Sequence, residues 1–167
     1  MTITGVDFFN TELPGGTLDS GTFSFSLAYT SRSPGGLDLT NPLNNITSGS
    51  QAFFSGSLPG LLGGILDITG TPFLYNPTLG NLLLTVTVSG AVDGSPLFAF
   101  LDFSQTQVET SRAVFRNPPF GNIGNDGGAL VTKFVTSPVP EPSSVILLAT
   151  ALGIFLFARL LKRSRII

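Results

Sequence analysis

Lys133 is the one lysine ahead of the last nine residues, and serines are plentiful, so a serine–lysine nucleophile is the first chemistry to weigh. Asp102 and Glu109 come next. They close one expected strand and open the next, where two carboxyl groups could act as the acid and base of glycoside hydrolysis. Asn122, Asn125 and Asp126 offer oxygens to calcium on a Gly-rich loop, though with one carboxylate where tight sites use several. The chain has no His and no Cys, which removes Ser-His-Asp and Cys-His catalysis and ordinary zinc and haem sites. A lone lysine and solvated strand-end acids make a poor catalyst. The expectation is a non-enzymatic protein with no cofactor and no metal.

The most specific pattern is the ending, "VPEPSSVILLATALGIFLFARLLKRSRII". Pro138, Pro140 and Pro142 alternate with Val139 and Glu141; each ring fixes φ and removes a donor, which predicts an extended, unpaired stalk over 138–142. No charge then occurs from Ser143 to Ala158. Those residues span about 24 Å as a helix, and roughly 28 Å if Leu160 and Leu161 join while Arg159 snorkels to the headgroups. Val145 to Phe157 is apolar on all faces, which favours a membrane span over a helix packed on a domain. The predicted helix covers 143–161, and 162–167 form a basic tail. Arg159, Lys162, Arg163 and Arg165 place that tail in the cytoplasm by the positive-inside rule. Residues 1–137 then lie outside the inner membrane.

The order of Val139-Pro140-Glu141-Pro142, a hydrophobic helix and an Arg-rich end resembles the PEP-CTERM sorting signal of exported bacterial proteins. The resemblance covers Val139 to Ile167. It implies recognition by an exosortase, an integral-membrane protease or transpeptidase-like enzyme, with cleavage near the Pro-Glu-Pro and delivery to the cell surface or extracellular matrix. In this reading the lipid bilayer and the exosortase-like enzyme are the partners. Alternating prolines suit a protease substrate, because they keep the segment out of both helix and sheet. Members of the family normally begin with an export signal. The opening "MTITGVDFFNTELPGG" has no positive n-region and no long apolar run, so the signal is expected upstream of Met1.

The elements ahead of this signal read as β. Residues 1–137 suffice for one domain with a core. Charged residues make up only 11% of the chain, and Phe, with fifteen copies, dominates the aromatics, which argues for a packed domain over a disordered one. In "TFSFSLAYT", Phe23, Phe25, Leu27 and Tyr29 share one face. In "NLLLTVTVS", Leu82, Leu84, Val86 and Val88 do the same. Further strands are expected at 2–10, 51–58, 66–69, 97–103, 108–115 and 129–136, with Asp93-Gly94 as a hairpin-like return. "NPTLGN" (76–81) and "NPPFGN" (117–122) share a turn grammar, and 31–45 is expected as a long loop. Many short strands with Gly/Pro turns predict an all-β, two-sheet sandwich of jelly-roll kind.

Ahead of Pro138 nine acids face four bases, which gives no electrostatic reason to expect nucleic acid as a partner. Exosortase systems resemble ones associated with exopolysaccharide, so a polysaccharide-binding module with the same anchor is the alternative function. A hydrolase ranks third. Sugar platforms stack rings on exposed Trp or Tyr, yet the chain has no Trp and only Tyr29 and Tyr75. Asn45-Ile46-Thr47 matches an N-glycosylation sequon but is discounted for a bacterial chain.

Overall fold

Alternation of apolar and small polar residues builds strands, and in this protein the strands assemble around one shared core. The computed structural model describes residues 1–11, 16, 18, 20–58, 60, 63–92, 101–104, 110–114 and 128–137, all within the unit Met1–Ser137. The order is β1 (Thr2–Phe9), β2 (Ser20–Thr30), β3 (Ser48–Gly56), β4 (Ile65–Leu74), β5 (Asn81–Val92), β6 (Phe103–Ser104), β7 (Ala129–Leu130) and β8 (Thr132–Ser137). Short 3₁₀ turns occupy Pro42–Asn45 and Pro77–Leu79. The described chain is all-β.

Two three-stranded antiparallel sheets carry the fold. One has the order β4-β1-β8 and the other β3-β2-β5; β6 and β7 form a separate short pair. The inner faces share a core of Ile3, Val6, Phe8, Leu66, Ile68 and Phe73 from the first sheet and Phe23, Phe25, Leu27, Tyr29 and Phe53 from the second. Phe8 meets Phe25 across the interface at 6.2 Å between ring centroids, and Tyr29 meets Phe73 at 5.7 Å. Each fully buried aliphatic side chain of this kind stabilises the fold by about 1.5–3 kcal/mol. The expected Phe23, Phe25, Leu27 and Tyr29 face is the core face of β2.

Irregularities explain where the expected strands and the observed ones differ. β4 runs past the predicted 66–69 as far as Leu74, although it contains Gly70 and Pro72. It is an edge strand, and its register against β1 shifts between Ile3 and Gly5, so Pro72 falls in a bulge where no ladder donor is required. Gly70 is needed there. A Cβ on it would lie 2.5 Å from the carbonyl oxygen of Phe53 and 2.6 Å from its ring. β3 also bulges, between the partners of Phe25 and Ser26, and this turns the consecutive Phe53 and Phe54 both toward the core.

β5 requires a correction. Val86 and Val88 pair with Phe25 and Phe23 and share their face, as the alternation predicts, yet both remain more than two-fifths exposed. The reason is position: among the described strands β5 lies at one edge of its sheet, on the side of β2 away from β3, and it is β3 that approaches β4 of the other sheet. The stretch 129–136 is also broken, at Val131, whose N–H leaves the ladder to donate to the Asp102 carbonyl at 2.8 Å. Of the expected strand 97–103, residues 97–100 lie outside the described residues, Leu101 and Asp102 are irregular, and only Phe103 is in a strand. Residues 110–113 of the expected 108–115 strand are likewise irregular. Asp93-Gly94 and residues 117–122 fall outside the described residues, as do 138–167 with their predicted stalk, helix and tail. Among the described residues no helix is long and apolar enough to cross a membrane.

Phe25 and Val86 share a face but differ in burial, and they make opposite predictions. Phe25→Ala, which empties a site against Phe8 and Phe54, is expected to cost about 3–5 kcal/mol in a denaturation titration. Val86→Ala is expected to cost under about 1 kcal/mol. Equal costs would place Val86 in the core after all.

Candidate functional site

The two sheets define two ends of the domain. Thr2 pairs with both Leu74 and Ser137, and Thr30 pairs with Asn81, which sets the Met1 end. Phe8 pairs with Thr132 and Ser20 with Val92, which sets the other. β8 therefore runs toward the Met1 end and stays paired with β1 up to Ser137, the residue before Pro138. Alternating prolines lack the N–H groups that continued pairing would need. Ser137 is the last described residue of this ladder.

Tyr29 fastens the two sheets at the Met1 end. Its hydroxyl donates to the Leu74 carbonyl at 3.0 Å and accepts from the Asn76 N–H at 3.0 Å. Tyr75 stacks on it with centroids 5.7 Å apart, and the Tyr75 hydroxyl donates to the Gly80 carbonyl at 3.0 Å. Met1 and Tyr75 exchange two backbone hydrogen bonds, at 2.8 and 2.9 Å. Both tyrosines thus spend their hydroxyls and a ring face inside the domain, which leaves neither as an open sugar platform.

The loop between β2 and β3 is organised by Asp38. Its Oδ1 accepts from the Thr40 hydroxyl at 2.6 Å, the Thr40 N–H at 2.8 Å and the Asn41 N–H at 3.1 Å; its Oδ2 accepts from the Asn44 amide at 2.8 Å. The Arg32 guanidinium lies 3.9 Å from Oδ2. The hydroxyl of Thr40, the amide of Asn44 and the two backbone donors hold the Asp38 carboxyl well below its ordinary value of 3.8. A carboxylate ringed by donors is built to be an anion, not to receive a cation. Asn45 completes the loop: buried, it accepts from the Asp38 N–H at 2.6 Å and donates to the Asp38 carbonyl at 3.0 Å. Those bonds occupy the amide that the sequon would need.

Of the residues singled out for catalysis or calcium, Lys133 and Asp102 are described, and each is bonded to another segment. Lys133 donates to Asp7 Oδ2 at 3.0 Å, so its bond goes to a carboxylate across the β1–β8 pair and not to a serine hydroxyl. Asp102 accepts from the Thr11 N–H at 2.9 Å and the Thr11 hydroxyl at 2.7 Å, while its own N–H donates to Phe9. It ties the end of β1 to the irregular segment before β6. Glu109, Asn122, Asn125 and Asp126 lie outside the described residues, as do Val139, Pro140, Glu141, Pro142, Arg159, Lys162, Arg163 and Arg165. Among the described residues no three His, Cys, Asp or Glu side chains converge as a metal site would require.

Sequence reading placed the turn at 76–81 but missed the Asp38 cluster and the Asn41-Pro42 turn beside it. Asn41 and Asn76 both precede a proline, hold extended backbone and accept on their side chains from the N–H two residues on. The repeated Asn-Pro, present at 41–42 as well as 76–77, was the signal that could have found them. Comparison of the chain with protein-family models, curated proteins and solved structures finds no match.

The depressed Asp38 carboxyl fixes a pH dependence. Its contribution to stability is fully present above about pH 4, where the unfolded-state group is ionised, and is lost as pH falls further toward the folded value. Asp38→Asn is expected to remove that part of the acid sensitivity. Thermal unfolding of both proteins from neutral pH to below pH 3.8 checks it, through a gap that narrows in acid. A gap independent of pH would show that the carboxylate's charge does nothing for the loop.

Proposed function

We propose that this chain is a non-enzymatic, exported protein held in the inner membrane by a C-terminal sorting signal. An exosortase-like enzyme processes that signal and passes the domain to the cell surface or matrix. The observation that carries this reading is the abrupt change at Ser137. Backbone pairing runs to that residue, and the sequence then continues as alternating prolines, sixteen uncharged residues and four clustered cations. A processing enzyme needs an extended substrate beside a folded body, and this order of properties supplies one. The span from 143 to 161 and the cytoplasmic tail belong to the same proposal.

The jelly-roll assignment rests on connectivity. β1 to β2 crosses between sheets, β2 to β3 stays within one, and β3 to β4, β4 to β5 and β5 to β8 cross again. The pairings of β1 with β4 and β8, and of β2 with β3 and β5, follow the order of the last six strands of an eight-stranded jelly roll. The polysaccharide-binding alternative has less to draw on, because Tyr29 and Tyr75 are stacked together and bonded inward.

Replacing Pro140, Glu141 and Pro142 together by alanine tests the proposal. The melting temperature is expected to stay within about a degree, since alternating prolines lack the N–H groups that ladder pairing needs. In a host with an exosortase, the unprocessed membrane-bound form is expected to accumulate. Normal processing and delivery of the variant would end the sorting-signal reading and leave a plain anchor.

A further inference from the structure

We propose that the Met1 end of the domain rests on the lipid surface, with Leu43 and Leu79 as the side chains that enter it. The proposal builds on the membrane-anchor reading above. Leu43 is 69% exposed, Leu74 65%, Leu79 59% and Met1 51%. These are four of the five most exposed large apolar side chains among the described residues, the fifth being Ile65 near the other end. Single exposed leucines are ordinary on a protein surface; a concentration at one end is not.

The two leucines are held out by the same device. Asn41-Pro42-Leu43 and Asn76-Pro77-Thr78-Leu79 each begin with a capping asparagine and a proline at the first position of a 3₁₀ turn. The turns are fixed to the body. Asn45, at the end of the first, is buried and bonded to Asp38, and Tyr75, just before the second, is stacked on Tyr29. Each leucine therefore stands on a preorganised tip and loses little freedom on entering an interface.

The occupant follows from where the chain leaves. β8 ends at this same end, with Ser137 paired to Thr2. Five residues separate Ser137 from Ser143, where the uncharged stretch begins, and the six steps between them reach no farther than roughly 22 Å at about 3.6 Å per residue. A bilayer holding that stretch lies within this radius of the Met1 end. Electrostatics agree. Asp38 is the one acid among the described residues of this end, its carboxylate already taken up by donors and by the Arg32 guanidinium at 3.9 Å, and the Arg32 side chain keeps 43% of its surface exposed. Interfacial apolar side chains of this kind sit about 5–10 Å into the boundary between headgroups and acyl chains.

The absence of cysteine makes the test clean. Leu43→Cys, Leu79→Cys and Ile65→Cys are made singly in the full chain and labelled with an environment-sensitive dye. Each protein is reconstituted into vesicles of phosphatidylethanolamine and phosphatidylglycerol containing lipid spin-labelled near the headgroup. Quenching at 43 and 79 is expected to be several-fold stronger than at 65. Equal quenching at all three positions, or none in vesicle-bound protein, would overturn the proposal while leaving the anchor intact. Blue-shifted but unquenched dye at 43 and 79 would assign this end to contact with protein, such as a second copy, and overturn it too. Full chain that does not partition with vesicles would sink the anchor reading and this proposal with it.

Discussion

The contact between Phe8 and Phe25 joins the two central strands, and every long strand is placed by one or the other. β1 carries β4 and β8 on its flanks; β2 carries β3 and β5. With only backbone pairing, these would be two separate three-stranded sheets, each with a wet apolar face. Burying those faces against each other supplies the stability, with aromatic rings meeting across the gap among aliphatic side chains such as Ile3, Leu27 and Ile68. That division of labour explains the composition. Serine and threonine fill outward positions at little cost, while phenylalanine covers the large area that a domain so poor in charge, and without disulfides, must bury.

The sequence made the class of the fold legible because period-two alternation is a local property. Phe23, Phe25, Leu27 and Tyr29 announce a buried face whatever surrounds them. It could not announce how far that face is covered. Val86 and Val88 obey the same alternation as Phe25, but burial depends on what packs opposite, and an edge strand has less opposite it. The bulges were hidden for a related reason. Adjacent Phe53 and Phe54 violate alternation, as does the Gly70–Pro72 interruption of β4, and both become regular only once a partner strand is known.

The candidate site divides in the same way. The C-terminal stretch that resembles a sorting signal is a string of local properties, which is why it can be proposed from one dimension. Asp38 could not be, since its importance lies in donors from Thr40, Asn41 and Asn44 that converge only when the loop folds back. Lys133 and Asp102 illustrate the reverse. Each belongs to a residue type that can do chemistry, yet their partners, Asp7 and Thr11, turn them into ties between segments more than ninety residues apart. Residue type proposes a role; the neighbour decides it.

The pairing of the first strand with the last has a consequence in time. Thr2 finds its partner in Ser137, and no nearer segment substitutes for β8 on that flank of β1. A chain with such distant partners folds slowly, because a long loop must close before any contact there is gained. During synthesis β1 cannot complete its sheet until the residues just ahead of the prolines have emerged. Until then one flank of β1 has no strand to pair with, while β4 can already occupy the other.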